Sequence, residues 1–130
     1  MEIIQILKAL SDETRIRILN ILRDGALCVC EIEAILEIIQ SNASRHLSKL
    51  TNVSLVESYK DAKFIYYKLD EDTLNQFNFI KVILDKELDN EQKLKEDSAI
   101  LKAYKAANLK CDTVSQVKDI ISEIKGKSRR

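Results

Sequence analysis

SNASRHLSKLTNVSLVESYKDAKFIYYKL, residues 41–69, changes its hydrophobic period partway along. In its first part Ala43, Leu47 and Leu50 recur at i, i+4 and i+7, which predicts a helix from about Ser41 to Thr51. In its second part LVESYK and KFIYYKL are rich in β-branched and aromatic residues and are split by Asp61-Ala62, the signature of a β-hairpin. Just upstream, Ile32, Ile35 and Leu36 suggest a short helix over Cys28–Glu37. Two short helices joined by about four residues make a helix-turn-helix, and a hairpin after it is a wing.

The flanking chain is predicted to be helical. Ile3, Ile4, Leu7 and Leu10 have helical spacing in residues 2–10. In SDETRIRILNILRD, Ser11 or Asp12 can cap a helix whose buried stripe is Ile16, Leu19, Ile21 and Leu22. Arg15 and Arg17 would face water, and Gly25 would end the helix. After Glu71, Leu74, Phe77, Ile80, Leu84 and Leu88 form one stripe, and Phe79 and Ile83 form a second. A helix apolar on two sides suggests dimerisation. Residues 91–109 suggest a weaker, charged helix. The last helix is expected to start with a Thr113/Gln116 capping box and to bury Val114, Val117, Ile121 and Ile124. The basic ending KGKSRR is expected to fray. The predicted fold is mostly α with a β-hairpin wing: a dimeric winged helix-turn-helix with extra C-terminal helices. Residues 1–88 would be the DNA-binding and dimerisation domain, and residues 89–130 a helical extension packed on it.

Composition agrees. The chain has 130 residues, 45% hydrophobic and 32% charged, enough for one domain with one core. Proline is absent and only two glycines occur, so long helices face few interruptions. No apolar run approaches the roughly 20 residues of a membrane span, and MEIIQILKAL has no leader features, so a cytoplasmic protein is expected. A single histidine, no phosphate-binding glycine loop and no paired carboxylates in an apolar setting argue against an enzyme.

The neutral total charge hides an asymmetry. Residues 41–68 carry five cations against two acids, and residues 69–100 carry nine acids against four lysines. With Ala43, Leu47 and Leu50 turned inward, the outward set from Gln40 is Ser41, Asn42, Ser44, Arg45, His46 and Lys49. Arginine can pair with guanine and asparagine with adenine, while serine and lysine hold phosphates. Lys60 and Lys63, near the hairpin tip, would add phosphate contacts. His46 is expected to touch the DNA backbone. The alternative for this helix is an ordinary solvated face.

Cys28 and Cys30 stand one residue apart at the start of a helix. Thiolates are soft ligands, and a helix N-terminus lowers a thiol pKa. A regular helix would point the two sulfurs about 200° apart, so joint capture of one ion would compete with the helix start. Small buried core thiols and a redox dithiol are the alternatives, although the usual oxidoreductase pattern is C-x-x-C.

LSDETRIRILNIL, LCVCEI, QSNASRHLSKL and LVESYKDAKFIYYKL resemble, in order and spacing, the ArsR/SmtB family of metal-responsive winged-helix repressors, over roughly residues 5–88. LCVCE narrows the resemblance to the arsenical-resistance repressor type. The resemblance implies a homodimer that binds double-stranded operator DNA when ligand-free. It implies release when As(III), Sb(III), or a metal such as Cd(II), Pb(II) or Zn(II) binds the thiols. A third cysteine often follows three residues after the second in that type, and here Glu33 stands there. A three-thiolate site would therefore recruit Cys111, from the same chain or a partner; otherwise Cys111 is a bystander. Two other family sites are not expected here: the first helix starts too early for an N-terminal cysteine arm, and residues 71–88 contain no histidine for an Asp/His site on the helix after the wing. Glu37, Ser54 and Ala62 also stand where the family tends to place glycine, which carries a cost if those backbones need a positive φ. A redox-responsive repressor and, from another class, a thiol metal buffer remain as alternatives.

Overall fold

The computed structural model describes residues 1–128. Arg129 and Arg130 of the basic ending lie outside the described residues. Helices α1 (Glu2–Leu10) and α2 (Glu13–Ile21) lead through a short 3-10 turn (Leu22–Asp24) to strand β1 (Leu27–Cys28). Helices α3 (Val29–Leu36) and α4 (Gln40–Asn52) follow, then strands β2 (Val56–Asp61) and β3 (Phe64–Leu69). The remainder is helical: α5 (Glu71–Gln76), α6 (Phe79–Val82) running into a π turn (Ile83–Glu87), α7 (Gln92–Ala106), a 3-10 segment (Cys111–Gln116) and α8 (Val117–Ser128). This is the expected winged helix-turn-helix, with α3 and α4 as the helix pair and β2–β3 as the wing. No described helix is long and apolar enough to cross a membrane.

Local chemistry fixes the boundaries. Asp12 caps α2 by accepting the Arg15 backbone N–H at 3.0 Å, and Asp70 caps α5 by accepting that of Thr73 at 3.2 Å. Glu37 ends α3 in the left-handed conformation, with φ 54°. Ser54 before the wing and Ala62 at its tip also adopt positive φ, 61° and 55°. All three positions where the family tends to use glycine therefore need the conformation that glycine favours.

The sheet order is β1-β3-β2, antiparallel throughout, with Cys28 opposite Tyr66 and Tyr59 opposite Tyr66 on the other edge. One core runs through the chain. Ile6, Ile18, Leu19, Ile32, Leu47 and Leu50 from the N-terminal half join Ile100, Leu101, Tyr104 and Val117 from the C-terminal half.

Several expectations are corrected. Arg17 does not face water: its guanidinium grips Asp97 of α7 through two hydrogen bonds, at 2.7 and 3.0 Å, and also donates to Leu36 O at 3.1 Å. Asp97 is 1% exposed, so this clasp is a buried ion pair between α2 and α7, and it raises the Arg17 pKa despite burial. Arg15 is also buried and donates through Nε to Ala9 O at 2.6 Å. Residues 71–88 are not one helix: the chain breaks at Phe77 (φ −115°, ψ 73°). Leu74 and Ile80 would point roughly 120° apart on a straight helix; the break lets both be buried together with Leu84. Thr113 does not cap with Gln116. It accepts the Lys110 backbone N–H at 2.9 Å, and a 3-10 segment precedes α8.

Candidate functional site

Two surfaces contain the predicted site residues. The first is the outer face of α4 with the wing. Gln40, Ser41, Asn42, Ser44, Arg45 and Lys49 are exposed, because Ala43, Leu47 and Leu50 turn the opposite face into the core. Lys60 and Lys63 are exposed at the wing, where Lys63 lies 5.4 Å from the Phe64 ring centroid. On the wing, Tyr59 stacks on Tyr66 at 5.5 Å, and Lys68 sits 5.8 Å over the Tyr59 ring. Five cations and several hydrogen-bonding side chains thus share one solvent-facing surface.

His46 is not part of that surface. It is only 4% exposed and packs against the α1–α2 corner. Its Nδ1 lies 3.1 Å from Arg15 Nη1 and 3.8 Å from Asp12 Oδ1, while its Nε2 lies 3.3 Å from Arg45 Nη2. A neutral imidazole has one acceptor nitrogen, so one guanidinium at a time receives a full hydrogen bond. Burial lowers the His46 pKa, opposed by Asp12 and reinforced by Arg45, Arg15 and Lys49. The ring is therefore a neutral strut that ties α2 to Arg45. Its position was legible in part: it lies about 60° round the helix from Ala43, at the flank of the apolar stripe.

The second surface is internal and contains sulfur. Cys28 ends β1 and immediately precedes α3, and it is fully buried. Its sulfur is bonded to that of Cys111, 83 residues later, as a disulfide. Cys111 opens the 3-10 segment after α7 and is buried. Cys30 does not join them; it is a free, half-buried thiol one position into the helix. The structure thus joins Cys28 to Cys111 and separates Cys28 from Cys30, as expected from the divergence of neighbouring positions where a helix begins.

Glu31, not singled out from the sequence, completes the group. Its carboxylate is 7% exposed. Oε1 accepts the Cys28 N–H at 2.9 Å and stands 3.7 Å from Cys111 Sγ; Oε2 accepts the Tyr104 hydroxyl of α7. The Tyr66 hydroxyl of β3 lies 3.5 Å from Cys111 Sγ. Burial and the Glu31 carboxylate raise the pKa of both phenols, so both remain protonated donors. The donor atoms of Cys28, Glu31 and Cys111 all lie within 4.8 Å of one another, close enough to share one cation once the sulfurs are reduced. A signal for Glu31 was present: it stands three residues after Cys28, the spacing of a capping-box acid.

The sequence pattern of the bacterial regulatory protein, arsR family, matches residues 12–58. A cadmium resistance transcriptional regulatory protein CadC homolog of Staphylococcus aureus is 39% identical over 77 residues, covering 58% of this chain and 64% of that relative. The chain thus spans less than two thirds of that relative's length. An arsenical resistance operon repressor of Staphylococcus aureus is 34% identical over 83 residues, covering 61% of this chain and 80% of that relative. Among solved structures, a homodimeric winged helix-turn-helix DNA-binding domain from Mycobacterium bovis superposes with TM-score 0.58 at 27% identity, covering 70% of this chain and 85% of that chain.

Proposed function

Because this chain belongs to the ArsR family of bacterial transcriptional regulators, we propose that it is a cytoplasmic, metal-responsive repressor that binds operator DNA as a homodimer and releases it when a thiophilic ion is captured by Cys28 and Cys111. The inducer class is As(III), Sb(III), Cd(II), Pb(II) or Zn(II). One observation carries the reading: the paired sulfurs sit where β1 passes into the helix-turn-helix, with Cys28 opposite Tyr66 at the root of the wing.

The residues divide the work. Arg45, Asn42 and Ser44 offer base-edge contacts, and Gln40, Ser41, Lys49, Lys60 and Lys63 contact phosphates. Two copies of α4 would enter successive major grooves about one helical turn apart. His46 acts by holding Arg45. Homodimerisation is supported by apolar side chains left exposed on α1 (Ile3, Ile4 and Leu7) and at Val82, and by the homodimeric solved relative. Residues 1–88 supply the DNA-binding and dimerisation surfaces in this reading, and residues 89–130 supply Cys111. A bound thiophilic ion supplies a cross-link between thiolates. To accept it Cys28 and Cys111 must be reduced and must lose their protons, and both must turn toward the shared donor position. Cys28 then pulls on the first turn of α3 and on β3 together.

The test is an operator-release titration in reducing buffer with each of the five ions, on the parent and on Cys28→Ser, Cys30→Ser and Cys111→Ser. The expected result is that Cys28→Ser and Cys111→Ser no longer release DNA, though both still bind it, while Cys30→Ser responds. An unchanged response in Cys28→Ser would overturn the sensor.

The Cys28–Cys111 bond itself favours a second reading, a redox switch on the same pair. Two thiols and one hydrogen peroxide give the disulfide and two waters. Operator release by peroxide in metal-free protein, reversed by dithiothreitol, would select it.

A further inference from the structure

We infer that Cys28, Glu31 and Cys111 form a mixed thiolate–carboxylate site for a borderline divalent cation such as Cd(II), Zn(II) or Pb(II), rather than part of a trithiolate site for As(III). The inference rests on the metal-sensing reading above and adds to it the third donor and the ion class.

The carboxylate is the deciding group. Glu31 is 93% removed from solvent in the sense that only 7% of it is exposed, and among the described residues no lysine or arginine pairs with it. Buried charges are ordinarily paired or coordinate metals. Here the nearest groups are neutral donors and two sulfurs. A divalent cation between those sulfurs would meet the carboxylate's charge where no protein cation does.

The spacing fits. In a tetrahedral site with metal–sulfur and metal–oxygen bonds of about 2.3 and 2.1 Å, a sulfur and an oxygen ligand stand about 3.6 Å apart. Cys111 Sγ and Glu31 Oε1 are 3.7 Å apart. Tyr104 holds the other carboxylate oxygen, which fixes the rotamer as an outer hydrogen bond does for a metal ligand. Tyr66 stands beside Cys111 Sγ as a further donor to the bound thiolate. Cys30, which a three-sulfur site would need, is outside the group. Oxygen in place of the third sulfur shifts preference from the thiophilic As(III) toward borderline divalent ions.

The loading chemistry balances as follows. A dithiol reductant gives two electrons and two protons to the Cys28–Cys111 bond and leaves as its own disulfide. The two thiols then release two protons to solvent as their sulfurs bind the divalent ion.

The test uses the reduced full chain with Cd(II) alone. Cadmium-edge X-ray absorption on the parent should give two sulfur neighbours and an oxygen shell. The ultraviolet thiolate–cadmium band gives affinity. Glu31→Gln, checked for its helical circular dichroism, should bind Cd(II) at least about tenfold more weakly, and Cys30→Ser should bind it as the parent does. As(III) binding should differ little between the parent and Glu31→Gln. Three or more sulfur neighbours in the parent, or equal Cd(II) affinity in a folded Glu31→Gln, would overturn the carboxylate site and leave thiol sensing intact. No cadmium–thiolate band in the parent would overturn both.

Discussion

The outer face of α4 with its wing and the sulfur group beneath it are built in opposite ways. The outer face comes from one continuous stretch, Gln40–Leu69, and its side chains are exposed because three apolar residues of α4 turn inward. The sulfur group takes Cys28, Glu31, Tyr66, Tyr104 and Cys111 from β1, α3, β3, α7 and the 3-10 segment, and most of it is buried. The first is a surface that substitution alters locally. The second is a junction whose loss alters the whole molecule. The two should therefore fail differently: stability should follow the junction, and DNA affinity the face.

The largest effect should come from opening the Cys28–Cys111 bond. It closes a loop of 83 residues, and loop entropy of that order stabilises by about 4 kcal/mol. Thermal unfolding with and without reductant measures it, and an unchanged midpoint would break the contrast. Next, Asp97→Ala leaves Arg17 buried without its partner, and we expect a loss of about 3 kcal/mol in denaturant unfolding. A loss that instead appeared mainly in DNA affinity would contradict the division between junction and face.

Effects on the outer face should be read in binding. Arg45→Ala should cost about 2 kcal/mol against the preferred operator and much less against unrelated DNA, measured by fluorescence anisotropy. Unfolding of the free protein should barely change. A smaller change is expected at the wing tip: Ala62→Gly relieves a positive φ of 55° and should stabilise by roughly 1 kcal/mol or less.

His46 ties the outer face, through Arg45, to Arg15 of α2, so its pH response sharpens the comparison. Its folded-state pKa is lowered, chiefly by burial. The unfolded chain therefore takes up the proton first as pH falls, and the stability contributed by the neutral ring is present above the ordinary histidine pKa of about 6.5 and lost on acidification below it. Denaturant unfolding between pH 7 and pH 5 should show this loss in the parent and a smaller one in His46→Gln.

What could be read in the sequence followed the same division. The helix pair, hairpin and exposed cations of α4 depend on period and composition within a few turns, so Ser41, Asn42, Arg45, Lys60 and Lys63 were all expected where they stand exposed. Partners far apart in the chain leave no such period. Nothing near Arg17 announces Asp97, and nothing near Cys28 announces Tyr104; Cys111 was reached only as the one other cysteine a three-thiolate site could recruit. Cys30 looked equivalent to Cys28 because spacing along the chain says little about direction where a strand becomes a helix. The break at Phe77 was hidden for a related reason: the stripe from Leu74 to Leu88 reads as one helix until the burial of Leu74 and Ile80 on a common side has to be met.

The clasp between Arg17 and Asp97 also bears on how this regulator can be handled. A shortened version ending at Leu88 would keep every side chain of the α4–wing surface, yet it would strand the Arg17 guanidinium and the Asn20 amide, which otherwise bonds to Leu94 O and Ser98 Oγ. It would also bare the core where Ile100, Leu101 and Tyr104 now pack. Such a shortened chain should therefore unfold more readily than the full one, because the tail is masonry rather than ornament.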